Sequence, residues 1–268
     1  MDTMLILGDG ALGRAVESAA LARGRIDARA PARHVRLIGR PPGGRHHPDD
    51  LAGASLIIEA SRGDAVVANL AAGLDAGCRA LVIATTGWTT DRGRVEELLA
   101  SHGAVAVAAN NFSLGVVLFG RLVEAAVELF GPLDAFDPYL VEWHRRSKVD
   151  RPSGTARELA KRIIDRHPAK TRLASVDGDA SRASAPDELE VAVIRAGASP
   201  GMHLVGFDSA GETIELRLTA RDRSAYAAGA LAAVDWLFRT TRAPGFHSFD
   251  AVVDELLGAP APALSATA

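Results

Sequence analysis

The densest run of chemistry-bearing side chains in this sequence is Glu142-Trp143-His144-Arg145-Arg146-Ser147-Lys148-Val149-Asp150-Arg151-Pro152-Ser153-Gly154-Thr155-Ala156. His144, Arg145, Arg146 and Lys148 crowd into five consecutive positions, and cations at that density repel one another unless they are solvated or face an anion. The run therefore predicts an anionic ligand. Ser153, Gly154 and Thr155 come just after a proline and just before an amphipathic helical pattern. Their N–H groups and hydroxyls can bind a carboxylate at the positive end of that helix. His144 suits acid–base work because its ordinary pKa lies near working pH, and neighbouring cations lower it and ease proton release.

A second cluster lies near the start. Gly8-Asp9-Gly10-Ala11-Leu12-Gly13 follows a short apolar strand and opens a helix, the context in which GxGxxG binds a dinucleotide. Gly8 permits the tight turn, Gly10 lets the backbone approach the pyrophosphate, and Gly13 permits close helix packing, with the pyrophosphate on the helix N-terminus. The next strand ends in Gly39-Arg40, where an NAD-preferring site offers an acid to the ribose. An arginine there suits a 2′-phosphate, and Arg45, His46 and His47 add positive charge nearby. NADPH is thus the preferred cofactor, with NADH possible. His46 and His47 read as surface residues, because the sequence shows no third metal ligand, and no metal is expected.

The elements that must carry these clusters follow from periodicity. Through residue 110, short apolar runs alternate with helical patterns, and continuous apolar strands such as Leu81-Val82-Ile83 suit a parallel sheet covered on both faces. This predicts an α/β chain with an N-terminal doubly wound Rossmann-type domain over 1–110, completed by 225–257. A second α+β domain over 111–224 carries a mixed or antiparallel sheet. Its evidence is the alternation in Thr213-Ile214-Glu215-Leu216-Arg217-Leu218-Thr219 and companion strands at Val191–Arg195 and His203–Phe207. Residues 168–188 read as a long mobile loop, and 258–268 as a flexible tail.

Composition narrows the partners. A net charge of −3 over 268 residues and 48% hydrophobic residues give no bulk attraction for nucleic acid. No apolar run approaches the roughly 20 residues that span a bilayer, and Met1–Gly8 lacks a signal peptide's basic flank and cleavage site. Cys78 is the only cysteine, so neither a disulfide nor a cysteine zinc site forms within the chain. The expectation is a soluble, cytoplasmic protein.

The segment 142–156 resembles the signature of the dihydrodipicolinate reductase family: a Glu, His two residues on, Lys four residues later, then Asp and Pro-Ser-Gly-Thr-Ala. Ala84-Thr85-Thr86-Gly87, Asn111-Phe112-Ser113-Leu114-Gly115-Val116, Arg195-Ala196-Gly197, Gly201-Met202-His203 and Arg223 before Ala227-Ala228-Gly229-Ala230 match further family segments. The resemblance implies that His144 is the general acid and that Lys148 holds a carboxylate and supports the protonation. It also implies that Ser153, Gly154 and Thr155 hold another carboxylate with help from Arg223, and that Ala84–Gly87 and Asn111–Ser113 frame the nicotinamide. By the same resemblance the substrate is a small cyclic dianion, 4-hydroxy-tetrahydrodipicolinate of the lysine/diaminopimelate pathway, the assembly is a homotetramer, and domain closure brings donor and acid together.

Three departures stand out. Arg145 occupies the place of the family's second histidine, where it either grips a carboxylate bidentately or marks a changed substrate. Tyr139 stands where the signature begins with Glu, and Arg151 replaces a small residue. The alternatives are a paralogous reductase of another cyclic imine or unsaturated dicarboxylate, or a non-catalytic NADPH-binding protein. Glu59 and Glu142 at strand ends, buried Cys78, and Trp88, Trp143 and Trp236 read as structural, with Trp143 also placed to shape a pocket beside His144.

Overall fold

The computed structural model describes residues 3–26, 34–41, 44–174 and 183–258. Its backbone divides into two compact units, Met1–Leu114 with Arg223–Ala268, and Gly115–Asp222.

The first unit runs β1 (Thr3–Leu7), α1 (Ala11–Ile26), β2 (His34–Ile38), β3 (Ala54–Glu59), α2 (Val66–Asp75), β4 (Ala80–Ile83), α3 (Arg92–His102) and β5 (Val105–Ala108). The second runs α4 (Leu114–Phe130), β6 (Asp137–His144), α5 (Gly154–Arg166), β7 (Arg172–Leu173), β8 (Glu188–Arg195), β9 (Met202–Asp208) and β10 (Thr213–Thr219). The chain then returns to the first unit as α6 (Ser224–Arg239), β11 (Gly245–Ser248) and α7 (Phe249–Leu256).

Six strands in the order β11-β5-β4-β3-β1-β2, every pair parallel, form the first sheet. Its central strands are apolar on both faces because both are covered. Leu5, Ile6, Leu7, Ile57, Ile58, Leu81, Val82 and Ile83 have no exposed surface. On one side Leu5, Leu7, Ile57 and Leu81 pack with Val66, Leu70 and Leu74 of α2 and Val95 and Leu99 of α3. Helix α6 packs against α1, β4 and β5. The chain passes from β1 to β2 on one side and then to β3 on the other, so the direction of winding reverses between β1 and β3. At that switch point the loops beyond the strand ends diverge and leave a crevice for a ligand.

In the second unit the order is β10-β9-β6-β8-β7, with β10/β9 and β9/β6 antiparallel and β6/β8 and β8/β7 parallel. One face packs on α4 and α5 through Phe119, Val123, Val127, Leu159 and Ile163 against Leu140, Val191, Val205 and Phe207.

One expectation needs correction, and one strand gives no sign in the sequence. Within the stretch read as a loop, β7 pairs Arg172 with Glu188 and Leu173 with Leu189, and buried Lys170 donates to the Glu188 carbonyl at 2.9 Å. A two-residue strand is too short to show alternation. Strand β11, Gly-Phe-His-Ser, has no apolar pattern either, and its extended state comes from pairing with β5. Residues 175–182 of that loop and 259–268 of the expected tail lie outside the described residues.

The returning helices brace a segment that the sequence assigns to the cofactor. A Cβ on Gly229 of α6 would lie 1.6 Å from the Phe112 carbonyl oxygen, and the Phe112 and Phe249 rings meet at 4.9 Å. We expect Gly229→Ala to lower stability by about 1–3 kcal/mol through overpacking. Gly24→Ala, whose added carbon meets nothing within 4 Å among the described residues, should be neutral or stabilising through the better helix propensity of alanine. Thermal denaturation of the two variants checks both outcomes.

Candidate active site

Alternation along β6 turns Leu140, Glu142 and His144 toward the covered face and Tyr139, Val141 and Trp143 toward the other. Glu142 has no exposed surface, and a carboxylate so buried needs charged or hydrogen-bonded partners. Arg195 at the end of β8 donates to Oε1 at 2.7 Å. The Ser153 backbone N–H donates to the same oxygen at 2.9 Å. Arg195 also donates to the Asp150 carbonyl, tying β8 to the loop that follows β6.

The other oxygen, Oε2, lies 3.2 Å from His144 Nδ1 and 3.8 Å from His203 Nε2. Among the described residues, neither Oε2 nor His144 Nδ1 has another hydrogen-bond partner. The His203 ring stands edge-on to His144, with centroids 5.2 Å apart, and its Nε2 is 3.2 Å from Ser153 Oγ. That hydroxyl also caps α5 by accepting the Ala156 N–H at 3.2 Å. A Cβ on Gly201 would lie 3.0 Å from His144 Nε2, close enough that a larger residue there would crowd that nitrogen.

Burial sets the protonation of this cluster. It holds His203 down at about 4, with the His144 charge next in effect. It also lowers His144, where Lys148 and Arg195 add to the effect and Glu142 and Asp150 oppose it. Burial pushes Glu142 upward, but the Ser153 hydrogen bonds and Arg195 outweigh it and leave the carboxyl below its ordinary range. Among the described residues, Glu142, His144 and His203 place ligand atoms within 4.8 Å of one another, as a metal site would. Arg195 already supplies the positive charge that a cation would bring to that carboxylate.

The basic loop is anchored through its backbone: Arg145 N–H donates to the Ser199 carbonyl at 2.7 Å and Arg146 N–H to Gly197 at 3.1 Å. This leaves the Arg145 and Arg146 side chains exposed. Lys148 Nζ lies 2.8 Å from Asp150 Oδ1. Gly154, exposed, and Thr155, half-buried, open α5 beside Ser153.

In the first unit a pocket of about 330 Å³ sits at the switch point, lined by Gly8, Asp9, Gly10, Arg40, Arg45 and His46 on one side and by Ser61, Arg62, Asp64 and Asn69 on the other. Gly8 has φ +107° and a Cβ there would lie 2.6 Å from the Ala60 carbonyl. One on Gly13 would lie 1.9 Å from the Gly8 oxygen, whereas one on Gly10 meets nothing within 4 Å. Turn, helix packing and open approach are thus separate demands on three glycines, and together they form the cradle a pyrophosphate requires.

Beneath the pocket, fully buried Glu59 accepts from Ser61 N–H at 2.8 Å, Thr85 Oγ at 3.1 Å and Asn69 Nδ2 at 2.8 Å, and also from the Ser61 hydroxyl. Burial raises its pKa. Asn111 Oδ1 accepts the Ser113 N–H at 2.9 Å, forming a turn on the segment that α6 braces.

With both sites on the page, comparison with known proteins is decisive. Residues 115–253 match the C-terminal model of dihydrodipicolinate reductase. A 4-hydroxy-tetrahydrodipicolinate reductase of Archaeoglobus fulgidus is 35% identical over 200 residues, 74% of this chain and 75% of that protein. This chain belongs to the dihydrodipicolinate reductase family. A Campylobacter fetus reductase of the same name is 39% identical over 164 residues, 59% of this chain and 61% of its own length. The dipicolinate-bound dihydrodipicolinate reductase from Paenisporosarcina sp. TG-14 shares the fold, with a TM-score of 0.65 at 18% identity over 92% of this chain and 97% of that one.

Set on this family scaffold, the predicted residues divide. His144, Lys148, Ser153, Gly154 and Thr155 lie on β6, the following loop and the start of α5, and Gly8, Asp9, Gly10 and Arg40 line the pocket. Ala11, Leu12 and Gly13 begin α1 behind it. Ala84 and Thr85 are buried at the end of β4, and Thr86 and Gly87 are exposed. A Cβ on Gly63 would meet the Gly87 carbonyl at 2.5 Å, which places the loops after β3 and β4 side by side. Arg223 precedes α6, with its guanidinium 5.1 Å from the Tyr226 ring centroid.

Four readings change. Trp143 points to the face opposite His144, 36% exposed, and donates to the Ala196 carbonyl at 2.9 Å, because neighbours on a strand alternate. His46 is buried and lines the pocket rather than lying on the surface. The lowered His144 pKa comes from burial more than from cations. Glu142 is no isolated strand-end residue but the hub of the cluster. Sequence reading also missed Arg195, His203, Ser61 and Asn69 as site residues. For His203 and Arg195 the available signal was their place inside matched family segments.

The His203 environment has a consequence for stability. Its folded pKa of about 4 lies below the ordinary 6.5, so between those values the unfolded chain binds a proton that the folded one refuses. Stability is therefore full above 6.5 and falls as the pH drops toward 4. Melting temperatures measured across that window should decline less steeply in His203→Gln than in the unsubstituted protein.

Proposed function

We propose that this chain reduces 4-hydroxy-tetrahydrodipicolinate to tetrahydrodipicolinate with NADPH, in lysine/diaminopimelate biosynthesis in the cytoplasm. The observation that carries the reading is His144, buried against Glu142, followed by Lys148 and the open N-terminus of α5 in the order of the family signature. The Archaeoglobus and Campylobacter relatives bear that reductase's name.

NADPH, when bound, supplies the hydride. The Gly8–Gly13 loop holds its pyrophosphate on the N-terminus of α1, and Arg40 takes the 2′-phosphate. Asp64 lines the same pocket, held below its usual range chiefly by Arg62 and also by Arg40, so Arg40 must offset that acid to favour the phosphorylated cofactor. NADH remains a usable second donor. Thr86, Gly87 and the Asn111–Ser113 backbone frame the nicotinamide. His144 delivers the proton from Nε2, the nitrogen beside Gly201. Lys148 pairs with one substrate carboxylate and supports protonation. The N–H groups and hydroxyls of Ser153, Gly154 and Thr155 hold the other, with Arg145 and Arg223 as further anion contacts. No step in this reading calls on a metal.

The second sheet presents Tyr139, Val141, Trp143, Ala192, Ile194 and Leu204 on its face away from α4 and α5. This surface, with Trp143 and Ile194 exposed, supports the homotetramer that the family resemblance implies. None of the described helices is long and apolar enough to cross a membrane.

NADPH oxidation in the presence of freshly generated 4-hydroxy-tetrahydrodipicolinate tests the reading. We expect rapid turnover, reduced about 10²–10⁴-fold in His144→Ala with NADPH binding intact, and loss of both kcat and substrate affinity in Lys148→Ala. NADPH binding without turnover would refute it. Arg40→Ala should raise the KM for NADPH far more than for NADH, and equal effects on the two cofactors would remove the 2′-phosphate role.

A further inference from the structure

We infer that Glu142 is the positioning residue of the acid: its carboxylate, pinned by Arg195 and the Ser153 N–H through Oε1, takes the Nδ1 proton of His144 through Oε2 and so directs Nε2 outward as the donor. This deepens the proposed function and rests on His144 being the acid.

The geometry carries the argument. Oε1 is occupied by two donors at 2.7 and 2.9 Å, which fixes the plane of the carboxylate and leaves Oε2 directed at His144 Nδ1, 3.2 Å away. Among the described residues both of those atoms are buried without another hydrogen-bond partner, and a buried polar pair so placed is satisfied by sharing a proton. Nδ1 then carries hydrogen in both protonation states, and only Nε2 gains and loses it.

The neighbouring histidine is placed less well for the role, its Nε2 3.8 Å from Oε2 against 3.2 Å for His144 Nδ1. Ser153 Oγ accepts the Ala156 N–H and has one proton to donate. The partner 3.2 Å away is His203 Nε2, which takes that proton in the Nδ1–H tautomer or donates to the second lone pair of the hydroxyl in the Nε2–H tautomer.

The groups facing His144 agree with this division: Glu142 on its own strand, Lys148 and Asp150 in the following loop, Arg195 on β8 and His203 on β9. Burial, Lys148 and Arg195 all work against the imidazolium, and Glu142 is the largest influence favouring it. The same carboxylate also holds Ser153, the residue that opens the anion-binding turn. One buried side chain thus sets both where the proton waits and where a substrate carboxylate docks.

Nitrogen-15 NMR of histidine-labelled protein, with the His144 signal assigned by its loss in His144→Asn, reads the arrangement directly and without substrate. We expect neutral His144 as the Nδ1–H tautomer, although free imidazole favours Nε2–H. In Glu142→Gln the amide can still accept from Ser153 and Arg195 but presents an NH₂ to Nδ1, which forces the opposite tautomer. We expect kcat to fall about 10²-fold or more, with KM changed far less. The high-pH limb of kcat/KM should move to lower pH by about 1 unit or more, and Glu142→Asp should recover part of the rate.

An Nε2–H tautomer in the unsubstituted protein, or a Glu142→Gln pH profile that coincides with the original, would overturn the inference. Should Glu142→Gln fail to fold, the tautomer of the unsubstituted protein decides alone. Absence of turnover in the unsubstituted protein would defeat the functional reading while the NMR result still judged Glu142.

Discussion

The second unit depends on one buried ion pair. Glu142 and Arg195 are almost wholly withdrawn from water, their side chains 0% and 1% exposed, and neither could be there alone. Removing one partner of such a pair costs about 3–5 kcal/mol because the other is left as an uncompensated charge. The pair joins β6 to β8 at the ends of two parallel strands, and its remaining valences fix the loop at Asp150, the turn at Ser153 and the ring of His144. A well-packed apolar pair would hold the strands together as well. Only a charged one also holds an imidazole and a helix start in register.

The first unit solves a similar problem with opposite chemistry. Glu59 is as buried as Glu142, yet its partners are the neutral donors of Ser61, Asn69 and Thr85, and its pKa moves up where that of Glu142 moves down. The contrast fits the ligands proposed for each place. A cation beneath the pyrophosphate cradle would compete for it, whereas beside an acid that must cycle its proton a fixed anion compensated by arginine is useful. Glu59 acts through shape, joining the loop after β3 to the end of β4 through Ser61 and Thr85.

What the sequence showed and what it hid follow from how far apart the interacting residues lie. Local signals were legible: the glycines of 8–13 sit in one turn, the cations of 144–148 in one loop, the cap at Ser153 within three residues of its partner, and β10 shows a strict two-residue period. The pairing of β11 with β5 and the convergence of Arg195 and His203 on His144 join residues 50 or more positions apart, for which periodicity carries no information. Glu142 and Trp143 illustrate the limit. Adjacent in sequence beside a catalytic candidate, the acid turns inward to the imidazole and the indole outward. The alternation rule was available, but without knowing which face was covered it could not say which residue mattered.

The return of the chain to its first unit has a consequence for how the protein is made. Strand β11 completes the parallel sheet along the edge of β5, and α6 covers β4 and β5 while its Gly229 receives the Phe112 carbonyl. A ribosome emits β5 well before β11, and in the interval the hydrogen-bonding edge of β5 stands open. Residues 115–222 emerge during that wait and have a core of their own, so on the nascent chain the inserted unit is ready to fold first and the unit that began synthesis closes last. The order of the elements thus leaves one strand edge of the first sheet unpaired until nearly the whole chain has been made.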